Sequence, residues 1–190
     1  MFPVDSFRTT LEKFRAIMEA CGLRYHLTGG VIGNALGEPR MTQDIDIVVD
    51  PRGITSCIDQ LLTLLAASDF EFHEASIRRA IDRGSLFQLL DRNEVLKLDI
   101  YPRELIPGEL SRSTEFELFE GWNVPIVSMV DAAASKLIWI RKGSHKSRRE
   151  LRAIVRKFDP HQRREFESLA LSLGLAWLLS DVLREPDELK

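Results

Sequence analysis

The most constraining feature of the sequence is a short apolar segment with two aspartates at alternating positions, Asp44-Ile-Asp46-Ile-Val-Val. Its β-branched residues predict a strand that ends before Pro51. Because side chains alternate between the faces of a strand, Asp44 and Asp46 share one face and the aliphatic residues occupy the other. Two like charges about 4 Å apart repel by about 4 kcal/mol at an effective dielectric constant of ~20. The two carboxylates therefore lie at an exposed strand end, pair with basic neighbours, or hold a divalent cation.

Mg²⁺ is the cation that this pattern favours, because it takes oxygen ligands from one or two carboxylates together with substrate phosphates. An EF-hand calcium loop is excluded, since its sixth position requires glycine and Val49 stands there. A glycosyltransferase Asp-X-Asp motif ranks low, because only about 40 residues precede Asp44 and a nucleotide-binding half domain needs more.

A third acid, Asp99, lies on a second predicted strand, Val95–Tyr101, in the stretch Leu96-Lys97-Leu98-Asp99-Ile100-Tyr101. In this stretch the aliphatic residues share one face, and Lys97, Asp99 and Tyr101 share the other. If it lies beside the Asp44 strand, three carboxylates converge, and such a set can hold two metal ions about 3.5–4 Å apart. Lys97 is also an obvious partner for a structural ion pair.

A glycine pair precedes both of these strands. Gly29 and Gly30 follow a short predicted strand, Tyr25–Thr28, and a short predicted helix over Val31–Leu36 comes next. Glycines at a helix start let backbone N–H groups approach an anion. A Gly-Gly pair alone is usually a turn. The order of strand, Gly-Gly, short helix and Arg40-x-Thr-x-Asp-x-Asp46 is much more specific than any of its parts.

This arrangement resembles the signature of the polymerase-β-like nucleotidyltransferase superfamily and, within it, the bacterial AbiEii-type and minimal nucleotidyltransferases. The resemblance extends over about residues 20–158. It implies a mixed-sheet nucleotidyltransferase fold that binds Mg²⁺, as two ions, and uses a nucleoside triphosphate (NTP) as substrate. The implied metal ligands and catalytic residues are Asp44, Asp46 and Asp99, and the residues assigned to nucleotide binding are Gly29, Gly30, Thr42, Lys97 and Lys136.

Lys136 matches a lysine that is thought to meet phosphates in this family, and its alternative role is that of a surface lysine whose stem lies along apolar neighbours. The sequence departs from the family pattern at two places. The family often has Gly-Ser where this chain has Gly29-Gly30. Related sequences also tend to carry an aspartate in the helix after Lys136, where the resemblance implies a base that activates the acceptor; in this chain only Glu150 can take that role.

The charge is distributed unevenly along the chain. The formal net charge is −3, which favours no class of partner, but residues 131–164 hold eleven Lys and Arg against three Asp and Glu. We call residues 131–164 the basic segment. It predicts either a surface for phosphates, such as an RNA end like that of tRNA, or a solvated helix face.

The remaining pattern predicts an α+β fold with a mixed β-sheet, helices on one face of it and a C-terminal helical segment. Helices are predicted over 5–20, 54–68 and 76–83. One hairpin is predicted from strands Leu86–Leu90 and Val95–Tyr101 with the polar loop Asp91-Arg-Asn-Glu94 between them, and a second over 116–127. From residue 128 onward the pattern is helical, with Trp139 expected in the core. We predict a nucleotidyltransferase core over residues 1–127 and a helical segment over 128–190 that packs on it.

The composition is that of a globular protein, with 44% hydrophobic and 29% charged residues. Cys21 and Cys57 are too few for a disulfide framework or a zinc site and indicate free thiols in a reducing compartment. We see no signal peptide and no apolar run of the ~20 residues that a membrane span needs. We therefore expect a cytoplasmic protein that does not enter a membrane.

Three functions fit these observations. The first is an Mg²⁺-dependent enzyme that moves a nucleoside monophosphate from an NTP to an acceptor, which is an RNA end, a protein or a small molecule. The second is a weakly active or inactive protein of the same fold that acts as an antitoxin or regulator with a toxin–antitoxin partner. The third is an antibiotic nucleotidyltransferase, for which Glu71 and Glu74 supply acidic groups that suit a cationic drug.

Overall fold

The computed structural model describes residues 4–30 and 44–185. Thr42, Arg40 and the helix predicted over Val31–Leu36 lie outside these residues. The chain divides into two compact units, whose described residues are 4–30 and 44–127 in the first and 128–185 in the second. The prediction that the helical segment packs on the core stays a prediction.

The first unit is built on a sheet of seven strands in the order β3-β4-β5-β2-β1-β7-β6. Its strands are β1 (Tyr25–Thr28), β2 (Asp44–Val49), β3 (Phe70–Glu71), β4 (Phe87–Asp91), β5 (Leu96–Tyr101), β6 (Thr114–Phe119) and β7 (Trp122–Ile126). Its helices are α1 (Val4–Ala20), α2 (Pro51–Ser56), α3 (Ile58–Ala66) and α4 (Glu74–Arg83), with a 3₁₀ helix over Glu109–Arg112. The β2–β5 and β1–β7 pairs are parallel and the other pairs are antiparallel, so the sheet is mixed and the predicted α+β class is confirmed.

One face of the central strands is the core. Strand β2 buries Ile45, Ile47 and Val49 completely, and β5 buries Leu96, Leu98 and Ile100 on the same face. Helix α1 contacts β5 and α3 from this side through an apolar stripe that includes Leu11 and Phe14. Because one face is sealed in this way, the alternate residues of β2 and β5 are presented on the other face.

Predictions in the first unit differ from the structure at the helix over 54–68 and at β3, among others. The single helix predicted over 54–68 is two helices, because α2 covers Pro51–Ser56 and is separated from α3 by Cys57, whose backbone φ is −116°. Asp50 starts α2, since its carboxylate accepts hydrogen bonds from the N–H groups of Arg52 and Gly53. Strand β3 was not predicted, because a strand of two residues shows no alternation.

The second unit is a cluster of four helices, α5 (Met129–Arg141), α6 (Lys146–Arg156), α7 (Pro160–Ser172) and α8 (Ala176–Arg184). Helix α5 contacts each of the other three. Its alanines, such as Ala133 and Ala134, are fully buried and allow close helix approach. The expectation that Trp139 lies in the core is wrong: it is 40% exposed, and the Lys142 ammonium lies 4.8 Å from its ring centroid.

Across the described ranges, no helix is both long enough and apolar enough to cross a lipid bilayer.

Candidate active site

The predicted acids come together on the face of the sheet opposite α1, because β2 and β5 are adjacent and in register, and Asp99 is only 8% exposed there. Asp46 lies directly opposite Asp99, and Asp44 lies opposite Lys97. Residues paired across strands project from the same face, so the pairing builds two parallel rows of side chains. The first row is Thr28, Asp46, Asp99 and Gln88, and the second is Asp44, Lys97, Leu90 and Glu71.

Asp46 is the more buried of the two carboxylates on β2. Burial raises its pKa, and the charge of Asp99 in the same row raises it further. The Tyr101 hydroxyl donates a hydrogen bond of 3.2 Å to its Oδ1, and the backbone N–H of Gly30 donates another to the carboxylate. These bonds hold the carboxylate in place and oppose the rise in pKa.

The turn after β1 is folded directly onto Asp46. Gly29 has a φ of +69°, and a Cβ placed on it would lie 1.9 Å from Asp46 Oδ2. No side chain larger than hydrogen fits there. The glycine predicted from sequence is therefore required both by its backbone conformation and by the approach of the carboxylate.

Lys97 bridges the other two acids. Its Nζ lies 3.1 Å from Asp44 Oδ1 and 3.6 Å from Asp99 Oδ1. Partial burial on its own lowers the Lys97 pKa, but the hydrogen bond to Asp44 and the charge of Asp99 outweigh it and raise the pKa. The side chain is therefore a charged ammonium that offsets part of the negative charge of the three acids.

Gln88 is a site residue that the sequence analysis missed. It lies on β4 opposite Asp99, and its Nε2 donates a hydrogen bond of 3.0 Å to Asp99 Oδ1. The predicted strands end at Leu90 and begin at Val95. If these two residues formed the first pair of the hairpin, Leu86 would lie opposite Asp99. Val95 has a positive φ of 55° and belongs to the turn. The first pair of the hairpin is therefore Asp91 and Leu96, and this register places Gln88 opposite Asp99.

The donor set fits a hard divalent cation in its chemistry. Asp44, Asp46 and Asp99 supply carboxylate oxygens, the ligand type that Mg²⁺ prefers. Among the described residues, however, no three His, Cys, Asp or Glu side chains are placed so that they could hold a metal ion. Binding of a cation would therefore require these side chains to rearrange, including Lys97, which contacts Asp44 and Asp99.

Lys136 belongs to the second unit and lies on α5. Its Nζ forms an ion pair of 2.7 Å with Glu150 Oε2 on α6, and both side chains are largely buried, with 16% and 13% exposed. Lys136 is predicted to bind phosphate and Glu150 to serve as the acceptor base. In the structure these two residues form an ion pair with each other. Thr42, the remaining predicted nucleotide ligand, lies outside the described residues.

The basic segment is extensively paired with acids of its own unit. Arg148 contacts Asp181 at 3.2 Å and also Glu185, and Arg152 contacts Glu185 at 2.6 Å. Arg163 pairs with Glu167 at 2.9 Å. The acids beyond residue 164 therefore offset part of the positive charge that the sequence concentrates between 131 and 164.

No protein-family model and no curated protein matches this chain. Solved structures do match it. The solution structure of the antibiotic-resistance factor ANT(2'')-Ia matches with a TM-score of 0.57 and 15% identity, over 97% of this chain and all of that one. Its crystal structure in complex with adenylyl-2''-tobramycin matches with a TM-score of 0.54 and 14% identity, over 87% of this chain and 97% of that one.

A third solved structure also matches this chain. An antigenic nucleotidyltransferase-like protein from Paracoccidioides brasiliensis matches with a TM-score of 0.53 and 21% identity, over 96% of this chain and 94% of that one. The prediction of the AbiEii-type subgroup stays a prediction. Similarity at these identities shows the fold, and on that ground the chain has a nucleotidyltransferase fold.

Proposed function

We propose that the protein is an Mg²⁺-dependent nucleotidyltransferase that moves a nucleoside monophosphate from an NTP to a hydroxyl group of an acceptor. The observation that carries the proposal is the row in which Asp46 and Asp99 lie side by side beneath the Gly29 turn. Burial and the neighbouring charge of Asp99 raise the pKa of Asp46, and carboxylates with perturbed pKa values cluster at functional sites.

Each residue has a role in this reaction. Asp44, Asp46 and Asp99 would hold the cation, which would supply positive charge to the phosphates. The Gly29-Gly30 turn supports the triphosphate with its backbone, and Asp99 accepts the proton of the acceptor hydroxyl. A bond forms between the acceptor oxygen and the α-phosphorus, the bond from that phosphorus to the bridging oxygen breaks, and pyrophosphate leaves.

The acceptor in this proposal is a small molecule with amino groups and a hydroxyl. The sheet face that carries Asp99 continues onto β4 and β3, where Gln88, Leu90 and Glu71 are exposed and offer a hydrogen-bonding, an apolar and an anionic group. An RNA end is less well supported, because arginines of the basic segment pair with acids of their own unit. This acceptor class matches the adenylylated tobramycin held by one structural neighbour.

The activity is tested with α-labelled NTPs, Mg²⁺ and a panel of aminoglycosides, lincosamides and tRNA. We expect label transfer to an aminated small molecule, and a loss of about 10³-fold or more in the double variant Asp44→Ala/Asp46→Ala. The exposed Asp82→Ala is the matched control and should keep full activity. Equal transfer by the double variant and the wild-type protein would reject the proposal.

A regulatory binding protein of the same fold is the second candidate. The ion pairs of Lys97 with Asp44 and Asp99 favour it, because they stabilise the acids without any cation. This candidate predicts no label transfer to any acceptor, together with stable co-purification of a partner such as the toxin of a toxin–antitoxin pair. Turnover that depends on Asp44 and Asp46 would exclude it.

A further inference from the structure

We propose that Lys97 is a built-in counter-ion, which holds the carboxylates of Asp44 and Asp99 in place until a divalent cation displaces it. The inference rests on the proposed function, because it concerns the cation that this function requires. It assigns Lys97 a role in controlling access of the cation, beyond the nucleotide contact expected from sequence.

The geometry places the ammonium group between the two acids. Lys97 Nζ is 3.1 Å from one oxygen of Asp44 and 3.6 Å from one oxygen of Asp99. The backbone favours this position, since Lys97 lies opposite Asp44 in the β2–β5 register and two residues before Asp99 on the same strand face. A cation that took the Oδ1 atoms of both carboxylates would replace the ammonium group as their partner.

Asp99 and Asp46 each accept a further hydrogen bond that does not need to break when a cation arrives. Gln88 holds Asp99 and Tyr101 holds Asp46, and both are neutral donors that leave carboxylate lone pairs available. Lys97 differs from them because it carries a charge of the same sign as the metal. Its long stem is also flexible and is 35% exposed, so it can move aside without disturbing the strand.

Two consequences follow from this competition. Without a cation, Lys97 reduces the repulsion among the three acids and stabilises the fold. With a cation, the ion pairs of Lys97 must be given up, so the apparent affinity for the metal is lower than the bare carboxylates would provide. A single residue thus stabilises the metal-free protein and weakens its metal binding.

The test compares Lys97→Met, Lys97→Gln and Lys97→Arg with the wild-type protein, all without nucleotide. Mn²⁺ binding is measured by electron paramagnetic resonance, and thermal unfolding is measured in EDTA and in saturating Mn²⁺. We expect Lys97→Met to bind Mn²⁺ about fivefold more tightly, the equivalent of about 1 kcal/mol. The same variant should unfold at a lower temperature in EDTA, and saturating Mn²⁺ should reduce that difference.

The other variants serve as controls. Lys97→Arg keeps the charge and should remain within twofold of the wild-type Mn²⁺ affinity. Arg52→Met removes one positive charge from an exposed residue beyond the opposite end of β2, and it should change neither measurement. Lys97→Gln retains a polar side chain and replaces Lys97→Met if that variant does not fold; tighter Mn²⁺ binding is expected from it as well.

The outcomes separate this inference from the proposed function. Mn²⁺ binding that is lost in Asp46→Asn, with Lys97→Met no tighter than wild type, would overturn the role of Lys97 alone. A lack of Mn²⁺ binding in the wild type and in every Lys97 variant would overturn the proposed function and this inference together. Tighter binding by Lys97→Met and Lys97→Gln, with Arg52→Met unchanged, supports both.

Discussion

At the scale of single residues, the buried Asp91 shows that an acid can be structural even where a sequence pattern gives it no role. The sequence analysis placed it in a polar hairpin loop, but it is the last residue of β4 and is fully buried. Its carboxylate accepts hydrogen bonds from the Thr10 hydroxyl at 2.9 Å and from Lys13 Nζ at 3.1 Å. It therefore links α1 to the sheet.

Asp91→Ala should lower the free energy of unfolding by about 3 kcal/mol, because it leaves Lys13 and Thr10 without their buried acceptor. Urea denaturation measures this loss. Asp69→Ala is the matched control, since Asp69 contacts the same Lys13 at 3.3 Å but has a side chain that is 49% exposed. The control should cost less than about 1 kcal/mol. Equal losses from the two variants would contradict the role given to burial.

The stabilisation by Asp91 also depends on pH. Burial on its own raises the Asp91 pKa, but the hydrogen bonds from Lys13, Thr10 and the hairpin backbone outweigh burial and lower the pKa below 3.8. A depressed pKa means that the stabilisation is present above about pH 4 and is lost as the pH falls through the lower folded-state pKa. Unfolding curves of wild type and Asp91→Ala should therefore converge in acid.

At the scale of elements, the turn after β1 and the β4–β5 hairpin decide the shape of the candidate site. Both depend on residues with positive φ, Gly29 at +69° and Val95 at 55°. The glycine was predicted because Gly-Gly is a strong turn signal. Val95 is predicted in a strand because β-branched residues favour strands. In the structure the turn requires a positive φ at this position, and this requirement outweighs the strand preference.

Gly29→Ala should abolish nucleotidyl transfer, because the added Cβ would meet the Asp46 carboxylate at 1.9 Å. The assay is the label transfer described above. Gly121→Ala is the matched control, since Gly121 has nearly the same φ, +70°, and an added Cβ there meets nothing within 4 Å. Both variants should lose about 1 kcal/mol of stability from the backbone. Only Gly29→Ala should lose activity, and loss in both would contradict this account.

At the scale of the whole molecule, folding pairs several of the charges that the sequence shows as one positive block. The basic segment is a dense block of positive charge in the sequence, yet Arg148, Arg152 and Arg163 each contact an acid that lies beyond it. Part of its charge is thus internal to the helical unit. The attraction of the basic segment for phosphates is therefore weaker than its number of Lys and Arg residues predicts.

We therefore expect tRNA to bind only within the nonspecific range, with a Kd of about 10⁻⁴–10⁻⁶ M at physiological salt. Fluorescence anisotropy across a salt series measures this. Glu185→Gln should strengthen the binding, because it removes the carboxylate that Arg148 and Arg152 share. Nanomolar binding by the wild-type protein would contradict this expectation and would restore RNA as the leading acceptor.

Local patterns were enough to predict several parts of this protein. The two-residue period of a strand placed Asp44 and Asp46 on one face, and turn chemistry identified Gly29. These features depend only on neighbours in sequence. The tertiary structure alone decided that Asp99 lies opposite Asp46, that Gln88 joins the row, and that Glu185 offsets the basic segment. Each of these features depends on strand register or helix packing. Register and packing bring together residues that are far apart in the sequence, so local sequence patterns do not encode them.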